Sequence, residues 1–139
     1  MLGEDQKRRV QAGFAALEGR LGELVETFYD ELFALAPAVR PLFGEDLRPQ
    51  RAKLASALRL AVRSLDDLGP LVPALEAMGR RHVGYGAKPE HFAVVGQALI
   101  AAIDRHTGGL DDVDRDAWAA VYGILASAMQ RGMTQADAA

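Results

Sequence analysis

Apolar residues recur along this chain at intervals of three and four residues, with polar residues between them, which is the period of an α-helix. In the segment 21–35, the large apolar residues that share one face are Leu21, Leu24, Val25, Phe28, Leu32 and Phe33. Alternation of apolar and polar residues, the pattern of a half-buried strand, is never sustained. Proline and glycine cluster at a few positions and divide the helical pattern into segments. The pattern therefore predicts helices with short connections.

The segments predicted to be helical are 4–18, 21–35, 49–65, 71–83, 88–105 and a last one from about 111, with a short turn of helix at 37–42. Pro37 and Pro49 suit the first turn of a helix, where a backbone N–H has no partner. Gly84 and Gly86 close the fourth long helix, because glycine readily adopts the left-handed conformation at a helix end. The sequence predicts an all-α fold of six to eight helices, in one domain that spans residues 1–139.

Composition narrows the classes of function. Hydrophobic residues make up 50% of the 139 and charged residues 25%, which excludes intrinsic disorder. The absence of cysteine excludes disulfides, cysteine zinc sites, iron–sulfur clusters and thiol nucleophiles. The net charge of −3, without a basic stripe, argues against a nucleic-acid partner. The N-terminus does not resemble a signal peptide and the longest uncharged run, 92–103, is too short to cross a bilayer, so we expect a soluble cytoplasmic protein with no membrane partner.

One histidine stands out among three. Leu71, Leu75, Met78 and His82 follow one another at steps of four, three and four residues, which places the imidazole on the apolar face of the fourth helix. A neutral imidazole there can give a lone pair to a metal. Alternatively, His82 is a core histidine bonded to a carbonyl, which is the commoner arrangement when only this helix is considered. The residues alone leave both interpretations open.

Two further polar side chains lie over apolar faces. Tyr29 shares a face with Val25 and Leu32, and Gln50 lies one turn ahead of Leu54. Each could instead be an ordinary surface group that reaches water. No phosphate-binding loop, nucleophile elbow or Glu-x-x-His di-iron motif is present in the sequence. The residues thus indicate an apolar cleft with one lone-pair donor and two hydrogen-bonding groups.

Several motifs in this order and spacing resemble one known family. They are Phe28–Phe33, Pro37–Phe43, Gln50–Leu54, Arg80–Gly86, Pro89–Phe92 with Val95-Gly96, and Trp118 with Tyr122-Gly123. From about residue 5 to about residue 130 the chain resembles the bacterial single-domain globins, that is the neuroglobin-like and Vitreoscilla-type haemoglobins and the globin module of flavohaemoglobins. The resemblance implies a globin fold of helices packed around a haem pocket.

The resemblance also implies roles for individual residues. It implies that the cofactor is haem b (iron protoporphyrin IX) and that the residues binding it are Phe43, Lys53, Leu54, His82, Phe92 and Val95. In this pattern His82 matches the proximal ligand of the iron, Phe43 packs against the porphyrin and Lys53 meets a propionate. Tyr29 and Gln50 match the distal pair, whose donors would favour tight binding of dioxygen and slow release.

The chain departs from the family pattern at two positions beside the proximal histidine. Met133 stands where relatives carry a glutamate in the last helix, and Phe92 stands where they carry a tyrosine. The imidazole therefore lacks the carboxylate that increases electron donation in peroxidase-like sites. This weakens the case for strong peroxide or nitric oxide turnover. Gln50 in place of a distal histidine argues against a bis-histidine iron.

The resemblance implies reversible binding of dioxygen, carbon monoxide and nitric oxide, in oxygen transport or storage, by a monomer or homodimer. The alternative is a nitric oxide dioxygenase that takes its electrons from a separate reductase, because we expect no flavin module within these 139 residues. A third reading is a helical signalling or scaffold domain without haem, which predicts a colourless protein.

Overall fold

The computed structural model describes residues 2–138, which form six α-helices joined by short turns. The helices are α1 (Glu4–Leu17), α2 (Leu21–Leu35), α3 (Arg48–Arg63), α4 (Val72–Gly84), α5 (His91–His106) and α6 (Asp112–Ala138). Short 3₁₀ helices lie at Glu18–Arg20, Pro37–Leu42 and Gly69–Leu71. These residues contain no strand, so the prediction of an all-α protein is confirmed.

The buried face of α2 is the one predicted from spacing. Its buried side chains are Leu21, Leu24, Val25, Phe28, Tyr29 and Leu32, which recur at steps of three and four residues and form a continuous apolar stripe. This stripe lets α2 pack against both α5 and α3. The burial of Phe28 and Tyr29 side by side at the centre of the stripe positions the site described below.

Helix boundaries agree with the sequence prediction to within about two residues except at the start of α5. The segment 88–90, predicted to open that helix, forms a turn, and α5 begins at His91. Here the N–H groups of His91 and Phe92 donate to the carbonyls of Lys88 and Pro89, three residues back. Bonds of this spacing make a tighter turn than an α-helix, so Pro89 precedes the helix.

The C-terminal end of α4 is closed by a glycine. The N–H of Ala87 donates to the carbonyl of His82 and the N–H of Gly86 donates to that of Val83, the bond pattern of a Schellman motif. Gly86 has a φ of 87°, in the left-handed region that side chains other than glycine rarely adopt. This motif fixes the last turn of α4, which carries His82.

The helices pack so that α3 and α4 are kept apart. α4 lies along α6, whereas α3 packs against α2 and α1. Within residues 2–138, α3 and α4 have almost no close main-chain contact with each other. The candidate residues are therefore divided between two helix pairs, with Gln50 and Leu54 on α3 and His82 on α4. Among the described helices, none is both long and apolar enough to cross a membrane.

Candidate functional site

A cluster of aromatic rings forms one side of the candidate site. Tyr29 is 4% exposed, and its ring lies 4.8 Å from that of Phe28, 5.9 Å from that of Phe33 and 5.6 Å from that of Phe43. The rings of Phe33 and Phe43 are 5.5 Å apart and meet edge to face. Edge-to-face contacts of this kind stabilise aromatic clusters by about 0.5–1.5 kcal/mol per pair beyond burial. The cluster thus holds the Tyr29 ring in one place.

The Tyr29 hydroxyl is buried next to Gln50, which lies half-buried in the first turn of α3. Burial raises the pKa of Tyr29, while hydrogen bonding with the Gln50 amide and the positive charge of Arg51 oppose that rise. The hydroxyl therefore keeps its proton at neutral pH and can donate it. Tyr29 and Gln50, singled out separately in the sequence, are neighbours in the structure.

The loop that carries Phe43 is held by Arg40. The Arg40 guanidinium donates hydrogen bonds to the carbonyls of Phe43 at 3.3 Å, Gly44 at 3.0 Å and Glu45 at 3.4 Å. The same guanidinium stacks over the Phe33 ring at 5.1 Å from its centroid. A planar cation can satisfy several carbonyls and an aromatic face at once. Arg40 therefore fixes Phe43 against the aromatic cluster.

His82 lies half-buried on α4. Its Nδ1 lies 2.6 Å from the carbonyl oxygen of Met78, one turn earlier in the helix. A carbonyl can only accept a hydrogen bond, so Nδ1 carries the proton and donates it. In the neutral ring the lone pair is then on Nε2, which bonds to no other described residue. The two interpretations of His82 left open by the sequence, a carbonyl-bonded histidine and a lone-pair donor, are compatible.

The start of α5 carries two of the candidate residues, Phe92 and Val95. The Tyr122 hydroxyl, from α6, donates to the Phe92 carbonyl at 2.7 Å, and burial raises the pKa of Tyr122. A Cβ on Gly96 would lie 2.8 Å from the Tyr122 ring, so only glycine leaves room for that ring. Tyr122 and Gly96 together fix the first two turns of α5, which carry Phe92 and Val95.

The other sequence-predicted residues lie where helix packing leaves them partly exposed. Leu54 and Val95 are half-buried and pack against the main apolar core, and Phe92 is half-buried at the start of α5. Lys53 is exposed on α3. The structure brings Tyr29, Gln50 and Phe43 into direct proximity, whereas His82 belongs to a separate helix pair.

Sequence reasoning missed the roles of Arg40 and Tyr122. Nothing local marks Arg40 as a loop anchor, because its partners are main-chain carbonyls that any sequence supplies. Tyr122 has a sequence signal in hindsight, since a tyrosine on the apolar stripe of α6 needs a partner for its hydroxyl. Tyr85, read only as part of a helix end, is 58% exposed and meets the His82 ring edge to face at 5.4 Å.

A family model and individual relatives both match this chain. The family model Globin matches residues 26–129. The flavohemoprotein of Bacillus subtilis is 34% identical over 105 residues, which cover 73% of this chain and 26% of the relative. That of Chromobacterium violaceum is 32% identical over 134 residues, which cover 93% of this chain and 33% of the relative. The chain thus spans only about a quarter to a third of these relatives.

Solved structures share the whole fold. A bacterial globin from Campylobacter jejuni superimposes with a TM-score of 0.88, at 24% identity, over 99% of this chain and 100% of that one. An engineered carbene transferase from Rhodothermus marinus, whose parent is a candidate nitric oxide dioxygenase, has a TM-score of 0.89 at 30% identity and covers 99% and 97%. The predicted globin fold is confirmed.

Proposed function

The chain belongs to the globin family, and on that premise we propose that it binds haem b through His82 and reversibly binds dioxygen beside Tyr29 and Gln50. Carbon monoxide and nitric oxide are expected to bind at the same place. His82 would hold the haem iron, and the haem would supply a coordination position for a diatomic gas. In this proposal residues 1–139 form one globin domain of a cytoplasmic oxygen-binding protein, in storage or transport.

The observation that carries this proposal is the hydrogen bond from His82 Nδ1 to the Met78 carbonyl. It assigns the proton to Nδ1 and leaves the lone pair on Nε2, the state an imidazole needs to ligate a metal. The bond also limits rotation of the ring about its attachment to the helix. Among the described residues no cluster of three or more acidic or histidine side chains could hold a metal ion by itself, so a single-ligand cofactor fits the donor set better than a bare ion.

The candidate residues leave apolar surface that a flat cofactor would cover. α3 and α4 do not pack on each other, and the side chains of Phe43, Leu54 and Val95 are only half-buried. Covering such apolar surface is favourable by about 25 cal/mol per Å². Lys53, exposed at the edge of α3, would meet a carboxylate of the cofactor, and Phe92 would contact the same wall as Val95.

Tyr29 and Gln50 would supply hydrogen bonds to the bound gas. The Tyr29 hydroxyl keeps its proton because burial raises its pKa, and its ring is fixed by three aromatic neighbours. A donor held in place without water strengthens its bond to a ligand that carries negative charge, by about 1.5–3 kcal/mol. These two residues would therefore slow the release of dioxygen more than that of carbon monoxide, which is less polar.

A nitric oxide dioxygenase is the second candidate. It is favoured by the likeness to the Rhodothermus marinus protein, at 30% identity over almost the full length of both chains. The reaction combines nitric oxide, dioxygen and one electron to give nitrate, and the electron would come from a separate reductase. The hydrogen-bond partner of His82 Nδ1 is a neutral carbonyl and not a carboxylate, which favours binding over turnover. Rapid nitric oxide consumption over many turnovers, given a reductant, would favour the enzyme; one stoichiometric burst would favour the oxygen carrier.

The proposal is tested by adding hemin to the purified protein and recording absorption spectra of the oxidised, reduced and carbon monoxide forms. We expect one hemin per chain and a five-coordinate or weakly six-coordinate reduced spectrum. His82→Ala should abolish the iron–imidazole signature. His91→Ala is the matched control, because His91 lies on α5 and its Nδ1 accepts a hydrogen bond from the Lys88 N–H. A protein that takes up no hemin, or a His82→Ala variant with the parent spectrum, would overturn the proposal.

A further inference from the structure

α4 and α6 approach each other more closely than side chains normally allow, at one glycine from each helix. A Cβ added to Gly79 would overlap the carbonyl oxygen of Met129 and lie 2.7 Å from its carbonyl carbon. A Cβ added to Gly132 would overlap the carbonyl oxygen of Glu76 in the same way and lie 2.6 Å from its carbonyl carbon. The contact is therefore reciprocal: each helix presents a glycine to the backbone of the other.

The two contacts fix both the direction and the register of the pair. Residues 76 and 79 of α4 face residues 132 and 129 of α6, so the helices are antiparallel. The crossing is flanked by polar links: Arg131 contacts Glu76 at 3.4 Å, and Arg80 donates to Gln135 at 2.6 Å. A shift of one helix along the other would break these links and bring side chains into the narrow contact.

His82 lies one turn beyond Gly79 on the same helix, about 4.5 Å further along its axis. Three residues of α-helix rotate by about 300°, so the imidazole points about 60° away from the direction in which Gly79 meets α6. Moving α4 away from α6 would therefore withdraw the imidazole from the space it faces. The position of α6 relative to α4 thus sets how far His82 reaches.

We propose that Gly79 and Gly132 are positioning residues, which fix through the α4–α6 contact how far His82 reaches toward the haem iron. The inference rests on the proposed function. In this chain the imidazole is oriented by main-chain groups: Nδ1 donates to the Met78 carbonyl, and the helix itself is held against the backbone of α6. Met133, where the globins that this chain resembles carry a glutamate, is buried in α6 and offers no carboxylate.

The test introduces a methyl group at the contact, with Gly79→Ala and Gly132→Ala. The readout is the iron–histidine stretching band of the ferrous, ligand-free holoprotein by resonance Raman, together with the rate of hemin loss. A normal contact between carbon and a carbonyl oxygen is about 3.3–3.6 Å, so either variant must push α4 outward. We expect the band to move to lower frequency and hemin to dissociate about tenfold faster, as when other groups that orient a metal ligand are lost.

Two glycines on the same helices provide matched controls. Gly84 lies on α4 and Gly123 on α6, and a Cβ at either would meet nothing within 4 Å. Gly84→Ala and Gly123→Ala should leave the band and the rate of hemin loss as in the parent. Equal shifts in the control variants and in the contact variants would overturn the inference.

A second background separates positioning from general loosening of the pocket. In a His82→Gly protein supplied with free imidazole, the ligand is no longer attached to α4. If the glycines act through His82, adding Gly79→Ala to this background leaves the iron–imidazole band where it was. A shift of the same size in both backgrounds would show that Gly79 acts on the pocket as a whole, and the inference would be wrong.

The outcomes distinguish this inference from the proposed function. If the parent protein takes up no hemin, both the proposed function and this inference are wrong. If the parent shows the expected band and the contact variants fold and keep that band, only the inference is wrong. Should the contact variants fail to fold, the double variant Arg80→Met with Arg131→Met removes both flanking links without adding volume at the contact. A smaller downward shift is expected there, and an unchanged band overturns the inference.

Discussion

The two helix pairs that carry the candidate residues hold them in place by different means. On the side of α2 and α3, the distal side, side chains do the positioning: rings surround Tyr29, and Gln50 lies next to its hydroxyl. On the side of α4 and α6, the proximal side, main-chain groups do the positioning. His82 donates to a main-chain carbonyl, and Gly79 contacts the backbone of the other helix.

This difference has a consequence for how each side tolerates substitution. An aromatic cluster can adjust when one ring loses a polar atom, because the remaining contacts are apolar and many. A backbone contact without side chains has no atoms that can move away, so even one methyl group must displace a helix. Distal substitutions should therefore change the chemistry offered to a ligand, whereas proximal ones should change geometry.

The first prediction uses Tyr29, which is buried, and Tyr122, which is half-buried. Burial raises the pKa of both Tyr122 and Tyr29 above the ordinary value of 10.0. The folded state therefore keeps protons that the unfolded state loses above pH 10, so stability is complete below pH 10 and falls as the pH rises further. The slope is up to about 1.4 kcal/mol per pH unit for each group, over the interval between its unfolded-state and folded-state pKa values.

The measurement is tyrosinate absorbance at 295 nm and circular dichroism at 222 nm, followed together from pH 9 to 12. Two of the three tyrosines should ionise only as the helices unfold. Tyr122→Phe and Tyr29→Phe should each reduce the alkaline loss of stability. Ionisation of all three tyrosines while the helical signal stays native would contradict the prediction.

The distal side was more predictable from the sequence than the proximal side, for a physical reason. The period of apolar residues placed Tyr29 on the buried face of α2 and Gln50 over the apolar face of α3, because both signals are local to one helix. Gly79 and Gly132 carry no such signal. Glycine inside a helix costs about 1 kcal/mol, and what offsets that cost lies on the partner helix, which only the fold brings near.

The start of α5 is a second place where the local sequence was not enough to predict the structure. The segment 88–90 reads as a helix start because it contains proline, yet the bonds that form there span three residues and not four. What anchors the following turn is the hydrogen bond from Tyr122 to the Phe92 carbonyl, thirty residues away in sequence. Long-range partners of main-chain groups cannot be read from the pattern of either segment alone.

The second prediction tests the Tyr29 hydroxyl on the distal side. Tyr29→Phe removes one hydroxyl and keeps the ring, so the aromatic contacts and the helix should survive. Dioxygen should dissociate about 10- to 100-fold faster, which corresponds to a charge-assisted hydrogen bond of about 1.5–3 kcal/mol. Stopped-flow replacement of dioxygen by carbon monoxide measures the rate.

The control is Gln50→Leu, alone and together with Tyr29→Phe. If the two side chains donate to the same ligand, their effects should not add, because they are in contact. Release of dioxygen from Tyr29→Phe at the parental rate would count against a distal hydrogen bond and with it against the distal half of the proposal.

The last prediction concerns Arg40. Its side chain holds main-chain carbonyls, so it combines positioning by side chains, as on the distal side, with positioning through the backbone, as on the proximal side. Arg40→Met keeps the apolar stem, but removes hydrogen bonds to the Phe43, Gly44 and Glu45 carbonyls and the stacking on Phe33. These carbonyls lie near the surface and water can replace the lost donors, so the free energy of unfolding in urea should fall by only about 1 kcal/mol. Arg63→Met, at an exposed position on α3, should change it by less than about 0.5 kcal/mol. Equal effects of the two substitutions would mean that the aromatic cluster holds Phe43 without Arg40, and that the distal side depends on ring packing alone.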